Sequence, residues 1–171
     1  LNVWEKNNDS ETNIKSTTSI NDNEIHHCVL TADGSAYKMY IDGVLETLAT
    51  STQNDGKWLN VIGDTERDNI NIGVLKRGGL SNYWSGLIDE VCIWSDDLSA
   101  TEVTELYNLG LNGDVLTHSN QTNLISYWKN EGITNALWED RKGSDNLTVS
   151  GSPVLIGGTN GTVSGSPESI I

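Results

Sequence analysis

The chain has 171 residues and a mass of 18.6 kDa, enough for one domain with a hydrophobic core and too little for two ordinary domains. Its 24 Asp and Glu outnumber 10 Lys and Arg, so a formal net charge of −14 repels phosphate backbones and anionic lipid headgroups, and we expect no nucleic acid and no membrane surface as partners. No apolar run approaches the roughly 20 residues of a membrane span, and no signal peptide precedes Leu1, so we expect any targeting signal to lie outside this chain.

Alternation of apolar and polar residues with a period of two dominates the first half of the chain and predicts β-strands. The predicted strands cover residues 13–20, 25–32, 36–42 and 44–50. The second of them is expected to be largely buried. In the third, the alternation places Tyr37, Met39 and Ile41 on one face. Asp42-Gly43 predicts a tight hairpin with a primed turn, because Gly tolerates positive φ.

The middle of the chain continues with strands and then changes period. Further strands are predicted over residues 58–63, 70–76 and 86–94, the last being the most apolar. Ser99 is a good N-cap, and Glu102 three residues later completes a capping box. Gly110 closes the predicted helix. One face of that helix carries Val103, Leu106 and Tyr107.

Many short strands with regular turn signals and one short helix predict an all-β protein, an antiparallel β-sandwich or jelly roll. The composition shifts after Gly113, and residues 114–122, which include an isolated His118, are predicted to be a polar linker. Strand candidates follow at residues 123–130 and 145–156. The Gly- and Ser-rich end of the chain predicts a flexible or externally docked tail.

The two cysteines of the chain do not indicate a particular fold or function. Cys28 and Cys92 each lie in an apolar stretch, and we expect two buried thiols that act as small hydrophobic side chains. The sequence leaves open whether they form a disulfide, because a bridge needs their Cα atoms within about 7 Å. The chain has no CxxC motif or His/Cys cluster, so a structural zinc site is not expected.

Three stretches together resemble a laminin G-like domain of the concanavalin A-like lectin/glucanase superfamily. They are EIHHCVLTADGSAYKMYIDGVLE at 24–46, NIGVLKRGGLSNYWSGLIDEVCIW at 71–94 and SDDLSATEVTELYNLG at 95–110. Their order, spacing and turn residues agree with the family pattern. Ile25 stands where the family usually has Trp, and Trp84 stands where Phe or Tyr is common. The resemblance implies an antiparallel β-sandwich with one short helix after the last strand.

The resemblance covers roughly residues 1–113 and lacks the family's N-terminal strands, so we expect those strands to come from residues removed from this chain, from another chain or from the tail. Residues 114–171 are interpreted as a linker and a β-rich tail, which either completes this sandwich or starts or docks on another. NLISYWKNEGITNALWEDRKGSDNLTVSGSP at 123–153 is similar to the opening of such domains. A laminin G-like domain followed by a segment of this kind also resembles structural proteins of marine tailed phages, which implies a virion protein as an alternative.

The sequence offers no catalytic constellation. Glycoside hydrolases of this fold place paired carboxylates on one face of a strand, whereas Asp89 and Glu90 are adjacent and are expected to point to opposite faces. His26 and His27 are likewise neighbours that cannot both serve one site, and the family motif carries such a pair as a structural element. We therefore expect a protein without enzymatic activity.

Calcium is the best cofactor candidate, and no other cofactor is expected. Asp64, Glu66 and Asp68 present three carboxylates at alternate positions of a predicted loop, and Ca²⁺ takes six to eight oxygen ligands. Many members of the superfamily bind calcium at the rim of the sandwich. A solvated acidic loop without a metal is the alternative, and Arg67 weakens the local negative charge.

Carbohydrate recognition would use an aromatic ring as a flat apolar platform. Tyr83 and Trp84 lie in the loop RGGLSNYWSG, and Trp58 follows another polar loop, so these three are the candidate ligand-binding residues. Trp84 is also expected to replace a core aromatic residue of the family motif, which makes Tyr83 and Trp58 the better platforms.

These observations favour a non-enzymatic recognition or adhesion module, a lectin that binds carbohydrate on an extracellular or virion surface. The alternative is a structural protein of a virus particle or filament that uses the sandwich as a building block. The expected partners are therefore a glycan or neighbouring protein subunits, with a homo-oligomer in the second case.

Overall fold

The computed structural model describes residues 2–7, 10–50, 53–57, 71–76, 80–129 and 137–148. In this part of the chain, every paired strand runs antiparallel to its neighbour, and one α-helix follows the ninth strand. The all-β class with one short helix is therefore confirmed. The predicted strand 58–63 and the part of strand 145–156 beyond residue 148 lie outside the described residues.

Two three-stranded sheets form the first half. The strands in chain order are β1 (Asn2–Asn7), β2 (Ser10–Ser16), β3 (Cys28–Ala32), β4 (Tyr37–Ile41), β5 (Val44–Leu45) and β6 (Leu48–Thr50). One sheet has the order β1-β2-β6 and the other the order β3-β4-β5. Buried Ile14 of β2 packs with Tyr37 and Met39 of β4, so a shared core joins the two sheets.

The second half builds onto these sheets. Its elements are β7 (Leu75–Lys76), β8 (Leu80–Ser81), β9 (Val91–Trp94), α1 (Ala100–Leu109), β10 (Leu124–Trp128), β11 (Leu137–Trp138) and β12 (Leu147–Thr148). The pairs are β7 with β8, β9 with β10, and β11 with β12. Buried Tyr40 packs with Leu98 and with Val103 of α1, so the helix covers the face of β4 opposite to Met39.

Two local predictions are confirmed in detail. Asp42 and Gly43 have φ angles of 52° and 77°, the pair of positive values that a type I′ turn requires between β4 and β5. The helix begins after Ser99, whose hydroxyl accepts a hydrogen bond from the Glu102 amide at 3.4 Å. The Glu102 carboxylate in turn accepts one from the Ser99 amide at 2.7 Å, which completes the capping box. Gly110 ends the helix with a φ of 64°.

The predicted strand 44–50 is wrong as a single element. It divides into β5, which pairs with β4, and β6, which pairs with β2 in the other sheet. The chain therefore changes sheets at Glu46 and Thr47. Glu46 takes part in this crossing through its carboxylate, which accepts hydrogen bonds from the amide and the hydroxyl of Thr18 at 3.1 and 2.9 Å.

Three predicted strands are shorter or displaced. The strand predicted at 13–20 covers Ser10–Ser16. It ends there because the polar groups of residues 16–18 form hydrogen bonds with other backbone and side-chain groups and do not continue the ladder between strands. Of the strand predicted at 70–76, residue 70 lies outside the described residues, and within 71–76 only Leu75–Lys76 is a strand, since Gly73 has a φ of 75°. The strand predicted at 86–94 begins only at Val91, since Glu90 has a φ of 53° that interrupts an extended backbone.

The predicted strand 25–32 is also corrected. Regular pairing begins at Cys28, the side chain of Ile25 is 47% exposed, and the residues of β3 other than Thr31 are only half-buried. Before β3, the chain is held by the β4–β5 turn: the Asp42 carboxylate accepts the His27 amide at 2.9 Å, and the His27 carbonyl accepts the Asp42 amide at 2.9 Å.

Residues 114–122 are not merely a polar linker. They contain one 3₁₀ turn, Val115–Thr117, and the start of a second, Gln121–Asn123. His118 between them is only 1% exposed, and its ring lies edge-on to Trp94 with the centroids 5.0 Å apart. Its Nε2 donates to the carbonyl of Glu102 at 3.0 Å, so this histidine ties the segment to α1. The next element, β10, confirms the strand predicted at 123–130.

Candidate functional site

A cleft of about 990 Å³ lies between β3 and β9. Its walls include half-buried Val29 and Leu30 on one side and Val91 and Ile93 on the other. Its size lies at the upper end of the range of roughly 300–1,000 Å³ that is typical of ligand sites in proteins. The cleft is therefore the candidate site. No local sequence pattern predicts it, because β3 and β9 are some 60 positions apart in the chain.

The loop that follows β8 forms one side of the cleft mouth. Asn82 adopts a positive φ of 49°, and this turn leaves the next side chain, Tyr83, 67% exposed. The amide of Trp84 donates to the carbonyl of Gly73 at 2.7 Å, which anchors the loop. Tyr83 is thus held at the surface by a fixed backbone, as a ligand platform requires.

Trp84 points inward. It is half-buried, and its indole Nε1 is buried without a hydrogen-bond partner among the described groups. The structure therefore separates the two aromatic residues that the sequence placed together, with Tyr83 outside and Trp84 on the cleft wall. Trp58, the third candidate, lies outside the described residues.

His26 and His27 point to different partners. His26 Nδ1 lies 2.8 Å from an Asp42 carboxylate oxygen, and its Nε2 lies 3.0 Å from Asp22. The hydrogen bond to Asp42, followed by the bond to Asp22, raises the pKa of His26. His27 lies beside the ring of Tyr107, with the centroids 6.0 Å apart, and burial lowers its pKa. The pair therefore holds the chain at the cleft mouth.

The two carboxylates before β9 are engaged in structural contacts. The Asp89 side chain accepts the amide of Glu90 at 2.9 Å. The Glu90 carboxylate accepts the hydroxyl of buried Tyr127 on β10, and Lys129 Nζ lies 3.7 Å from its other oxygen. Burial and the bond to Glu90 raise the pKa of Tyr127 above its ordinary range, so this hydroxyl stays protonated. These contacts join β9 to β10.

Both cysteines are free thiols and line the cleft. Burial raises the pKa of Cys28, and it raises the pKa of Cys92 to about 12. Neither thiol is a thiolate near neutral pH, so neither is an activated nucleophile.

The calcium candidates Asp64, Glu66 and Asp68 lie outside the described residues. Within the described ranges, no three His, Cys, Asp or Glu side chains lie close enough together to hold a metal ion. No helix in the same part of the chain is long and apolar enough to cross a membrane.

Comparison with known proteins gives one result. The laminin G family model described as the concanavalin A-like lectin/glucanases superfamily matches residues 1–104, which is more than half of the chain and includes β1 to β9. No curated protein and no solved structure matches the chain.

Proposed function

The chain belongs to the concanavalin A-like lectin/glucanases superfamily, and on that premise we propose that it is a non-enzymatic recognition module that binds carbohydrate on an extracellular or virion surface. The observation that carries this proposal is the placement of Tyr83, whose ring is 67% exposed at the mouth of the cleft. A flat aromatic face packs against the apolar face of a sugar ring, and polar neighbours bond its hydroxyls. Exposed Asn82 supplies one such neighbour.

The absence of activity in this proposal rests on Asp89 and Glu90, the adjacent carboxylates that precede β9 and line the cleft. Glycosidases need one carboxylic acid and one carboxylate facing the same bond. Glu90 instead bonds to Tyr127, and Asp89 bonds to the adjacent backbone amide. This arrangement supports binding without hydrolysis.

A glycan array with the full chain tests the proposal. We expect saturable binding to at least one glycan, its loss in Tyr83→Ala and its retention in Tyr83→Phe, which keeps the ring. Ile125→Ala is the matched control, because Ile125 is 47% exposed and does not line the cleft. Trp58→Ala tests the second platform in the same assay. Failure of the unmodified chain to bind any glycan, or full binding by Tyr83→Ala, would overturn the assignment.

We also propose that calcium supports this binding through Asp64, Glu66 and Asp68, whose alternate carboxylates suit a hard cation. Calorimetric titration with CaCl₂ is expected to give a binding signal that Asp64→Asn and Asp68→Asn reduce. A titration of the full chain that gives no heat of binding would reject the calcium site. The glycan array would then remain the independent test of the Tyr83 platform.

Assembly with neighbouring subunits of a virus particle or filament is a second candidate. It is favoured by Ile25, Tyr107 and Leu111, large apolar side chains that are exposed at the cleft mouth. It predicts a stable assembly in multi-angle light scattering, and a monodisperse monomer together with saturable glycan binding would favour the lectin over it.

A further inference from the structure

The core around β9 includes residues that lie beyond the part of the chain that matches the family. The match ends at residue 104, inside α1. Leu124 and Tyr127 lie after that point, and both are buried in one cluster. Half-buried Trp94 of β9 and Leu106 of α1 pack against this cluster. Residues outside the matched part therefore contribute directly to the core of the domain.

Backbone pairing holds these later residues in register with β9. β10 runs antiparallel to β9, with Tyr127 opposite Cys92. Just before this ladder, the amide and the hydroxyl of Ser95 donate to the carbonyl of Asn123 at 2.8 and 3.0 Å. The hydroxyl of Tyr127 also donates to the carboxylate of Glu90. Main-chain bonds combined with anchored side chains are the contacts by which an added strand is recognised in protein complexes.

A second set of contacts joins the same part of the chain to α1. Buried His118 packs against Trp94 and donates from Nε2 to the carbonyl of Glu102 at 3.0 Å. The carboxylate of Glu105 accepts the amide of Ser119 at 2.7 Å. Because hydrogen bonds depend on direction as well as distance, these bonds fix the position of residues 118 and 119 along the helix.

The described residues after 114 also hold one another together. The amide of Tyr127 donates to Asp140 at 2.9 Å, and the indole of Trp128 donates to the carbonyl of Asp145 at 2.8 Å. The connection to α1, residues 110–113, is a turn that exposes Leu111. Because the contacts with β9 and α1 lie outside this turn, the turn acts mainly by keeping the later residues at a high local concentration.

We propose that β9 and α1 form a strand-acceptor site, and that its ligand is the segment of residues 114–148. The site is filled by the same chain here, and it takes the same segment from a second copy when its own segment is displaced. The segment therefore completes the sandwich of residues 1–113 and does not belong to a separate unit. The acceptor site does not use the ring of Tyr83, so it stands whether or not that loop binds sugar.

Cutting the full chain at its exposed turn tests the acceptor site. The recognition sequence of a site-specific protease is inserted between Leu111 and Asn112, both of which are exposed, and the uncut protein serves as the control for the insertion. We expect the two pieces to elute together from a size-exclusion column, to separate in urea and to rejoin on dilution. Pieces that elute separately without urea would overturn the proposal and would assign residues 114–171 to an independent unit.

Competition identifies the contacts that hold the segment. The cut chain is diluted from urea together with a fluorescent synthetic peptide of residues 114–171, and fluorescence anisotropy is expected to show that this peptide enters the complex. An unlabelled peptide with Leu124→Ala is expected to compete roughly thirtyfold less well than the unmodified peptide, because Leu124 is only 4% exposed.

A peptide with Ile125→Ala is the matched control. Ile125 lies on the same strand and is 47% exposed, so this peptide is expected to compete as well as the unmodified one. Both substitutions are confined to the peptide, and the acceptor keeps its own sequence throughout. Equal competition by the two variant peptides, or no uptake of the fluorescent peptide, would overturn the proposal.

Discussion

The side chain of His26 bridges two carboxylates. It joins Asp22, in the segment before β3, to Asp42 in the β4–β5 turn. Its pKa is raised in the folded protein, first by the hydrogen bond to Asp42 and then by the bond to Asp22. The stabilisation is therefore complete below the unfolded pKa of about 6.5 and is lost as the pH rises through the higher folded pKa. The hydrogen bonds of His26 therefore stabilise the folded protein most under mildly acidic conditions.

Replacing His26 by Gln is expected to remove this loss of stability between about pH 6.5 and the folded pKa. Urea unfolding at several pH values measures the effect. His27→Gln is the matched control with the opposite sign, because burial lowers the pKa of His27 and its protonation below about pH 6.5 opposes folding. If the free energy of unfolding depended on pH in the same way for the wild type and His26→Gln, the stabilising role of His26 would be contradicted.

Asp140 organises the turn between β11 and β12. Its Oδ1 accepts the backbone amides of Tyr127, Lys142 and Gly143, each at 2.9 Å. Burial acts to raise the pKa of Asp140, but these hydrogen bonds outweigh it and lower the pKa to about 2. Because the folded pKa is depressed, the stabilisation is present above the unfolded pKa of about 3.9 and is lost as the pH falls through about 2.

We expect Asp140→Asn to lower the free energy of unfolding at neutral pH by roughly 2 kcal/mol and to flatten its dependence on pH between about 4 and 2. Urea unfolding followed by tryptophan fluorescence provides the measurement, since Trp128 and Trp138 flank the turn. Asp145→Asn serves as the comparison, because Asp145 takes part through its backbone. Equal losses in the two variants would show that the Asp140 side chain has no special role.

At the scale of elements, α1 depends on its first turn. Ser99 and Glu102 satisfy each other's backbone amides, which have no partner within the helix. Ser99→Ala is expected to lower the free energy of unfolding by about 1 kcal/mol, measured by circular dichroism in urea. Thr101→Ala, an exposed substitution one residue inside the helix, is expected to change it little. A result in which both variants are equally stable would show that the capping box contributes nothing.

The same elements show what could be predicted from the sequence. The capping box and the Asp42-Gly43 turn depend on neighbours in the chain, so short motifs predicted both. Exposure of Tyr83 follows from its polar loop. The start of β9 at Val91 follows a positive φ at Glu90, whose carboxylate contacts Tyr127 on another strand, and the buried ring of His118 packs against Trp94. Such distant partners leave no local pattern, and for the same reason the cleft was not predicted.

At the scale of the whole molecule, the net charge of −14 opposes compaction. Raising NaCl from about 10 to about 100 mM shortens the Debye length from about 30 to about 10 Å, so we expect the melting temperature to rise. Differential scanning calorimetry at the two concentrations measures it. Lys substitutions at exposed Asp96 and Asp97 are expected to reduce the dependence on salt. A melting temperature that falls with salt would show that local ion pairs such as Asp33–Lys38 outweigh the repulsion.

The β9–β10 pair also has a consequence during synthesis. Val91 pairs with Trp128, which leaves the ribosome 37 positions later. At a translation rate of about 5–20 residues per second, β9 is synthesised roughly 2–7 seconds before its partner strand β10. During that interval the nascent segment Val-Cys-Ile-Trp is an unpaired apolar strand, open to chaperones and to neighbouring nascent chains. Slow codons between β9 and β10 would lengthen this exposure and lower the soluble yield, although the amino-acid sequence is unchanged.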